Sequence, residues 1–265
     1  MNRKTPLMLS FRSISVIICL VCLALFAACG TSGPSAPDVS DAPVVSTEPS
    51  VPVSVVTPEP APEPTPEPTP ARAEFILENI IFLGDSTTYG LGYYDIVDDM
   101  QVWTPKSGTL TLDLWNYSTI VYPETGEELL LTEILQRKKP DYLCITLGVN
   151  GVSFMDEAYF KQVYTELVKA VQELSPDTVI ILNSMYPVTD AYEAKGNGIN
   201  NTKISAANNW VKSVADSCGV HFLNSAVNIT DASGDLPEEY TNGDGLHLNP
   251  TSFNIIIDFL LSQDY

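Results

Sequence analysis

A hydroxyl, an imidazole and a carboxylate can activate one another, and this chain places one of each in suggestive company. A Ser hydroxyl is a poor nucleophile until a base takes its proton, and the base must be oriented by a third group. The 265 residues include two histidines, His221 and His247. His247 lies in the turn-rich run NGDGLHLNP, residues 242–250, and Asp244 precedes it by three positions. A turn there folds the carboxylate onto Nδ1 and leaves Nε2 free for a hydroxyl. His221 sits inside the strand-like VHFLN and reads as a packed or edge residue. The hydroxyl is Ser86, where the apolar run IIFLGDSTTYG breaks at Gly84-Asp85-Ser86. Asn150, in TLGVNGV, offers a side-chain amide to a transient oxyanion. Each has an ordinary explanation when taken alone: a helix cap for Ser86, a solvated turn for Asp244 and His247, a loop amide for Asn150.

Elements must bring these residues together. Short apolar runs bounded by turn residues predict buried strands over 80–83, 142–147, 179–182 and 220–223. Phe160, Val163, Tyr164, Leu167, Val168, Val171 and Leu174 recur at helical spacing up to Pro176. Further helices are expected over 129–135 and 204–214, and a last one with Asn249 as cap and Pro250 in its first turn. The stretch 91–122 should hold one more strand, near 118–122. Alternating strands and helices predict an α/β domain with a parallel sheet covered on both sides. Ser86 and Asn150 then follow strands at the carboxyl edge, where such sheets bind ligands.

Gly84-Asp85-Ser86, then Gly148-x-Asn150, then Asp244-x-x-His247 resemble the blocks of the SGNH (GDSL-type) hydrolase family, in that family's order and across nearly all of 79–265. The resemblance implies a flavodoxin-like three-layer α/β/α sandwich and ester hydrolysis with no metal or other cofactor. It implies Ser86 as nucleophile, His247 as base and Asp244 as the residue that orients it. The oxyanion hole would comprise the Ser86 backbone N–H, Asn150 and a glycine N–H, for which Gly108 in TPKSGTL is the candidate. The chain departs from the family pattern at Gly151, where many members carry Asp. The G-x-S-x-G nucleophile elbow is absent.

The N-terminus has a different composition. Arg3, Lys4 and Arg12 precede an uncharged apolar run over 13–28, too short to span a bilayer and shaped like a secretory signal. Phe26-Ala27-Ala28-Cys29 resembles the lipobox of bacterial lipoproteins, which implies lipid on Cys29 and an extracytoplasmic, membrane-anchored protein. Residues 29–73 are rich in Pro, Thr and Glu, including PEPAPEPTPEPTPA, and suit a disordered, semi-extended tether. The expected division is therefore a leader over 1–28, a tether over 29–73 and a hydrolase domain over 74–265. A net charge of −20 excludes nucleic acid as a partner. Cys144 and Cys218 are expected to be free. The expected substrate is an ester, with acetylated polysaccharide ahead of a lysophospholipid or a general short-chain acyl ester; a binding protein without activity is the non-enzymatic alternative. Trp103, Trp115, Tyr93 and Tyr94 are candidates for stacking on sugar rings, or equally for core.

Overall fold

The computed structural model describes residues 69–265. The expected leader, Cys29 and the tether as far as Pro68 lie outside the described residues. The first helix among the described residues, α1, spans Pro70–Asn79, so the expected domain start at 74 falls inside it. Proline hid this helix from a composition-based boundary, yet proline is favoured at a helix's first position, where its missing N–H costs nothing. The Thr69 side chain caps it by accepting from Arg72 N–H. Arg72 ties α1 to the end of the chain, donating to Gln263 O at 3.0 Å and pairing with Asp264 at 2.7 Å.

Strand β1 (Ile80–Gly84) follows, then α2 (Ser86–Tyr93) and the very short β2 (Val102–Trp103). Strands β3 (Thr119–Val121) and β4 (Glu128–Leu130) form a separate antiparallel hairpin. The strand expected near 118–122 therefore exists but does not join the main sheet; β2 takes that place. Helix α3 (Leu131–Arg137), β5 (Tyr142–Thr146), α4 (Glu157–Leu174) and β6 (Val179–Asn183) come next. A short α5 (Asp190–Glu193), α6 (Asn201–Cys218), β7 (His221–Leu223) and α7 (Pro250–Leu261) complete the chain. Asn249 caps α7 as expected, accepting from Ser252 N–H with Pro250 in the first turn.

The main sheet has five parallel strands in the order β2-β1-β5-β6-β7. Counting only these strands, the order is 2-1-3-4-5, the flavodoxin-like arrangement. Residues alternate between two cores. Ile81, Leu83, Leu143, Ile145, Ile180 and Leu182 pack with α3, α4 and α6 on one face. Ile80, Phe82, Cys144, Ile181 and Leu223 pack with α1, α2 and α7 on the other. This accounts for the unbroken apolar runs: a strand buried on both faces has no polar side. Cys144 and Cys218 are both free, and burial pushes the Cys144 thiol up to about 12, so it stays protonated and inert.

The carboxyl ends of β1 and β5 lie side by side, with Gly84 opposite Thr146. They meet so closely that a side chain at position 84 would strike Thr88 Oγ1 and lie 2.5 Å from the Thr146 carbonyl oxygen. Gly84→Ala should therefore lose roughly 1–3 kcal/mol of stability as the two chains are forced apart. Urea unfolding checks this; a variant as stable as the wild type would contradict the close approach.

Candidate active site

Between β1 and β5 the chain's direction of winding reverses, which opens a crevice at the carboxyl edge. Ser86 stands there as the first residue of α2, half-buried, directly after β1. Its own N–H, in the helix's first turn, has no intrahelical acceptor. Asp85 precedes it as the N-cap, its Oδ1 accepting from Thr87 N–H at 3.1 Å. Thus the strand end, the cap and the hydroxyl are consecutive residues, and the helix start fixes the direction of Ser86.

The imidazole comes from the loop ahead of α7. Thr241 and Leu248 bridge across this loop, and Asn242 N–H donates to His247 O at 2.9 Å. Inside it, Asp244 Oδ1 accepts from the N–H groups of Leu246 and His247, both at 2.8 Å. Asp244 Oδ2 receives His247 Nδ1 at 2.6 Å, and His247 Nε2 lies 3.0 Å from Ser86 Oγ. Burial alone would raise the Asp244 carboxyl, but hydrogen bonds from the His247 ring and from the His247 and Leu246 amides outweigh it and hold the group below 3.8. Asp244 is therefore ionised at neutral pH and can only accept. The ring proton must sit on Nδ1, which leaves Nε2 as an acceptor facing the Ser86 hydroxyl. An acceptor nitrogen at this distance can take the hydroxyl proton, and the carboxylate favours the imidazolium that results.

The loop is pinned from outside by residues with no recognisable signal in the sequence. Thr189 N–H donates to Gly245 O at 2.9 Å, and Lys195 Nζ donates to Asp244 O at 3.0 Å. Gly245 has φ +83°, and a side chain there would lie 2.5 Å from Thr189 Oγ1. The turn can sit against Thr189 only because position 245 is glycine.

Asn150 lies in the turn after β5, where Gly151 N–H donates to Gly148 O at 2.8 Å. Its Nδ2 donates to Asp85 Oδ2 at 3.2 Å and, more weakly, to Leu110 O at 3.4 Å. The amide is thus brought to the residue next to Ser86. Gly108 requires a correction. Its N–H donates to Pro105 O at 2.8 Å, closing a turn in which Gly108 has φ +70°, so that N–H is already engaged and not available as an oxyanion donor. His221 is an exposed β7 residue packed edge-on against Tyr265, away from the other site residues. Trp103 and Trp115 are 0% and 6% exposed and belong to the core, which removes them as sugar-stacking residues. Tyr94 is half-buried against the α7 core, whereas Tyr93 is exposed.

Asp85 is the site residue whose part the sequence did not reveal. It is 1% exposed, and burial pushes its carboxyl from 3.8 up to about 6, against opposing hydrogen bonds from Thr87 and the charge of His247. Its position before a helix marks it as a cap, but nothing in the sequence shows that its second oxygen holds Asn150.

A parallel α/β sandwich with these groups at its switch point defines a class, and comparison narrows it. The model of the GDSL-like lipase/acylhydrolase family matches residues 82–252. The chain belongs to that family and is an ester hydrolase. Among solved structures, one from Streptococcus pneumonia, provisionally described as a platelet activating factor, is 20% identical with a TM-score of 0.53, covering 72% of this chain and 88% of its own. A GDSL-like lipase from Bacteroides thetaiotaomicron is 16% identical with a TM-score of 0.50, covering 69% and 86%. At these identities the likeness is one of fold. No curated protein matches the chain.

The Asp85 shift has a measurable consequence. The folded protein holds this proton to about pH 6, while the unfolded chain releases it near 3.8. Between those values the folded state binds more protons, so its stability falls as pH rises. An amide at this position does not titrate. From about pH 4 to about pH 7, wild-type stability relative to Asp85→Asn should drop on the order of 3 kcal/mol. Urea unfolding of both proteins across that range tests this, and a constant difference would contradict it.

Proposed function

We propose that the chain is a serine esterase that removes O-acetyl or other short acyl groups from carbohydrate outside the cell membrane, to which a lipid on Cys29 tethers it. The observation that carries the catalytic part is the unbroken line from Asp244 Oδ2 through the His247 ring to Ser86 Oγ, at 2.6 and 3.0 Å. His247 Nε2 takes the Ser86 proton as Oγ bonds to the ester carbonyl carbon, and the carbonyl electron pair moves onto oxygen. The Ser86 N–H and Asn150 Nδ2 donate to that oxyanion. Asn150 can do so by giving up its weak 3.4 Å contact with Leu110 O while keeping its bond to Asp85. Collapse breaks the bond to the leaving alcohol, which receives the proton from His247. Water then repeats the sequence on the acyl-serine and releases the acid.

A recess of about 10 Å³ is lined by the chain neighbours of Ser86 and His247, namely Asp85, Thr87 and Leu246, with Val149, Met185 and Tyr186 among its other walls. Such a space holds a group the size of one water. It has no room for a long acyl chain. The export and tethering parts rest on the sequence of the leader and on Cys29.

Hydrolysis of p-nitrophenyl acetate tests the chemistry. Ser86→Ala should lose turnover to background while keeping its unfolding midpoint, since Ser86 Oγ bonds only to the His247 ring. Asn150→Ala should lower kcat about 10²–10³-fold. Asp244→Asn should lower it about 10⁴-fold by favouring the other ring tautomer. Full activity in Ser86→Ala would end the proposal. For the tether, labelled palmitate should enter the wild-type chain in a bacterial host and not Cys29→Ser; equal labelling would rule out lipid at that residue.

A further inference from the structure

We propose that Tyr89 and Tyr93 form an aromatic ledge that binds the sugar chain carrying the ester, so that the alcohol part of the substrate is a neutral carbohydrate laid along α2. This rests on the esterase proposal and assigns the substrate class of the same site.

Helix geometry places the ledge. Residues three and seven positions beyond Ser86 share its helix face, rising away from the hydroxyl by one and two turns. Those residues are Tyr89 and Tyr93, 47% and 67% exposed. Their rings lie 6.1 Å apart at 29° in a stacked arrangement that still leaves both exposed. The other sides of α2 are anchored. Thr88, Gly90, Leu91 and Gly92 are buried, and Phe253 fills the space that a side chain on Gly90 would need. Tyr93 is also braced edge-on by Tyr94 at 4.9 Å, and Tyr94 packs on Phe253 at 6.1 Å. Two adjacent exposed rings on a well-anchored helix are surface that solvation alone does not favour.

The ledge adjoins the rim of the site. The Tyr89 side chain lies against Gly108, where a Cβ would be 3.7 Å from the ring. The same loop carries Leu110, whose carbonyl meets Asn150. On that loop, an open groove of about 590 Å³ is lined by Ser107, Thr109, Tyr117 and Ser118, which are hydroxyl-bearing.

Three substrate chemistries compete for this surface. A long acyl chain needs apolar depth, and the recess walled by Asp85, Thr87 and Leu246 is only about 10 Å³. A phosphate headgroup would meet a protein of net charge −20, and Lys106 on the adjoining turn already faces Glu128 at 3.7 Å. A neutral sugar fits: its C–H face stacks on an aromatic ring, and its hydroxyls find the adjoining polar groove.

The test compares kcat/KM on partially O-acetylated xylo- and chito-oligosaccharides with kcat/KM on p-nitrophenyl acetate. In Tyr89→Ala/Tyr93→Ala this ratio should fall about ten-fold or more, mainly through KM, whereas Tyr89→Phe/Tyr93→Phe should keep it within about three-fold of wild type because the rings remain. The O-deacetylated oligosaccharides, their N-acetyl groups intact, should inhibit p-nitrophenyl acetate hydrolysis by the wild type, and more weakly in the Ala variant. An unchanged ratio in the Ala variant overturns the ledge. So does a wild type that hydrolyses p-nitrophenyl acetate and lysophospholipid but neither oligosaccharide, which leaves the serine-esterase chemistry standing and overturns carbohydrate as its substrate. If the wild type hydrolyses none of these esters, or Ser86→Ala hydrolyses them equally well, the esterase proposal fails and the ledge with it.

Discussion

A neutral imidazole carries one proton, and the 2.6 Å bond from His247 Nδ1 to Asp244 decides where it sits. With the proton held there, Nε2 must be an acceptor, and its nearest donor is the Ser86 hydroxyl 3.0 Å away. Much of the surrounding structure serves this one assignment. The amides of Leu246 and His247 keep Asp244 ionised and aimed at the ring. Thr189 and Lys195 hold the backbone of the turn from the other side. Asn249 starts α7 two residues after the ring and also binds the carbonyls of Glu239 and Thr241, closing the base of the loop.

The site contains two aspartates that the protein drives in opposite directions. Asp244, in an exposed turn with three donors, is held down; Asp85, sealed between β1 and α2, is pushed up to about 6. Environment, not residue type, separates them. Asp85 links otherwise independent parts. One oxygen caps the helix that begins with Ser86, and the other holds the amide of Asn150 from the neighbouring strand's loop. In the proposed reaction the nucleophile and the oxyanion donor are therefore registered against the same carboxylate. The burial of that charge is the cost of the arrangement.

Much of this was legible in the sequence because parallel strands leave a strong trace. The runs at 80–83 and 179–182 are apolar throughout and that at 142–147 is interrupted only by Thr146, since both faces of each strand are covered. Glycine, a turn-forming Asn and a helix cap follow them at the edge that matters, so Ser86 and Asn150 could be placed before any geometry was known. What stayed hidden was short, tertiary or dependent on exposure. Strand β2 has two residues and no period to detect. Helix α1 begins on a proline at the end of a proline-rich run. Trp103 and Tyr93 look alike as aromatic residues near Ser86, yet one is 0% and the other 67% exposed. Gly108 had the right type and order, but its N–H is used by its own turn. The bond between Asp85 and Asn150 spans 65 positions and has no local signature.

A fluorophosphonate probe reports directly on an activated serine, because a hydroxyl displaces fluoride from phosphorus rapidly only when its proton is being removed. Treated with such a probe, the wild-type chain should carry one adduct, located on Ser86 by peptide mass spectrometry, and His247→Gln should label far more slowly. An adduct on another residue, or labelling at an equal rate without the imidazole, would contradict the account.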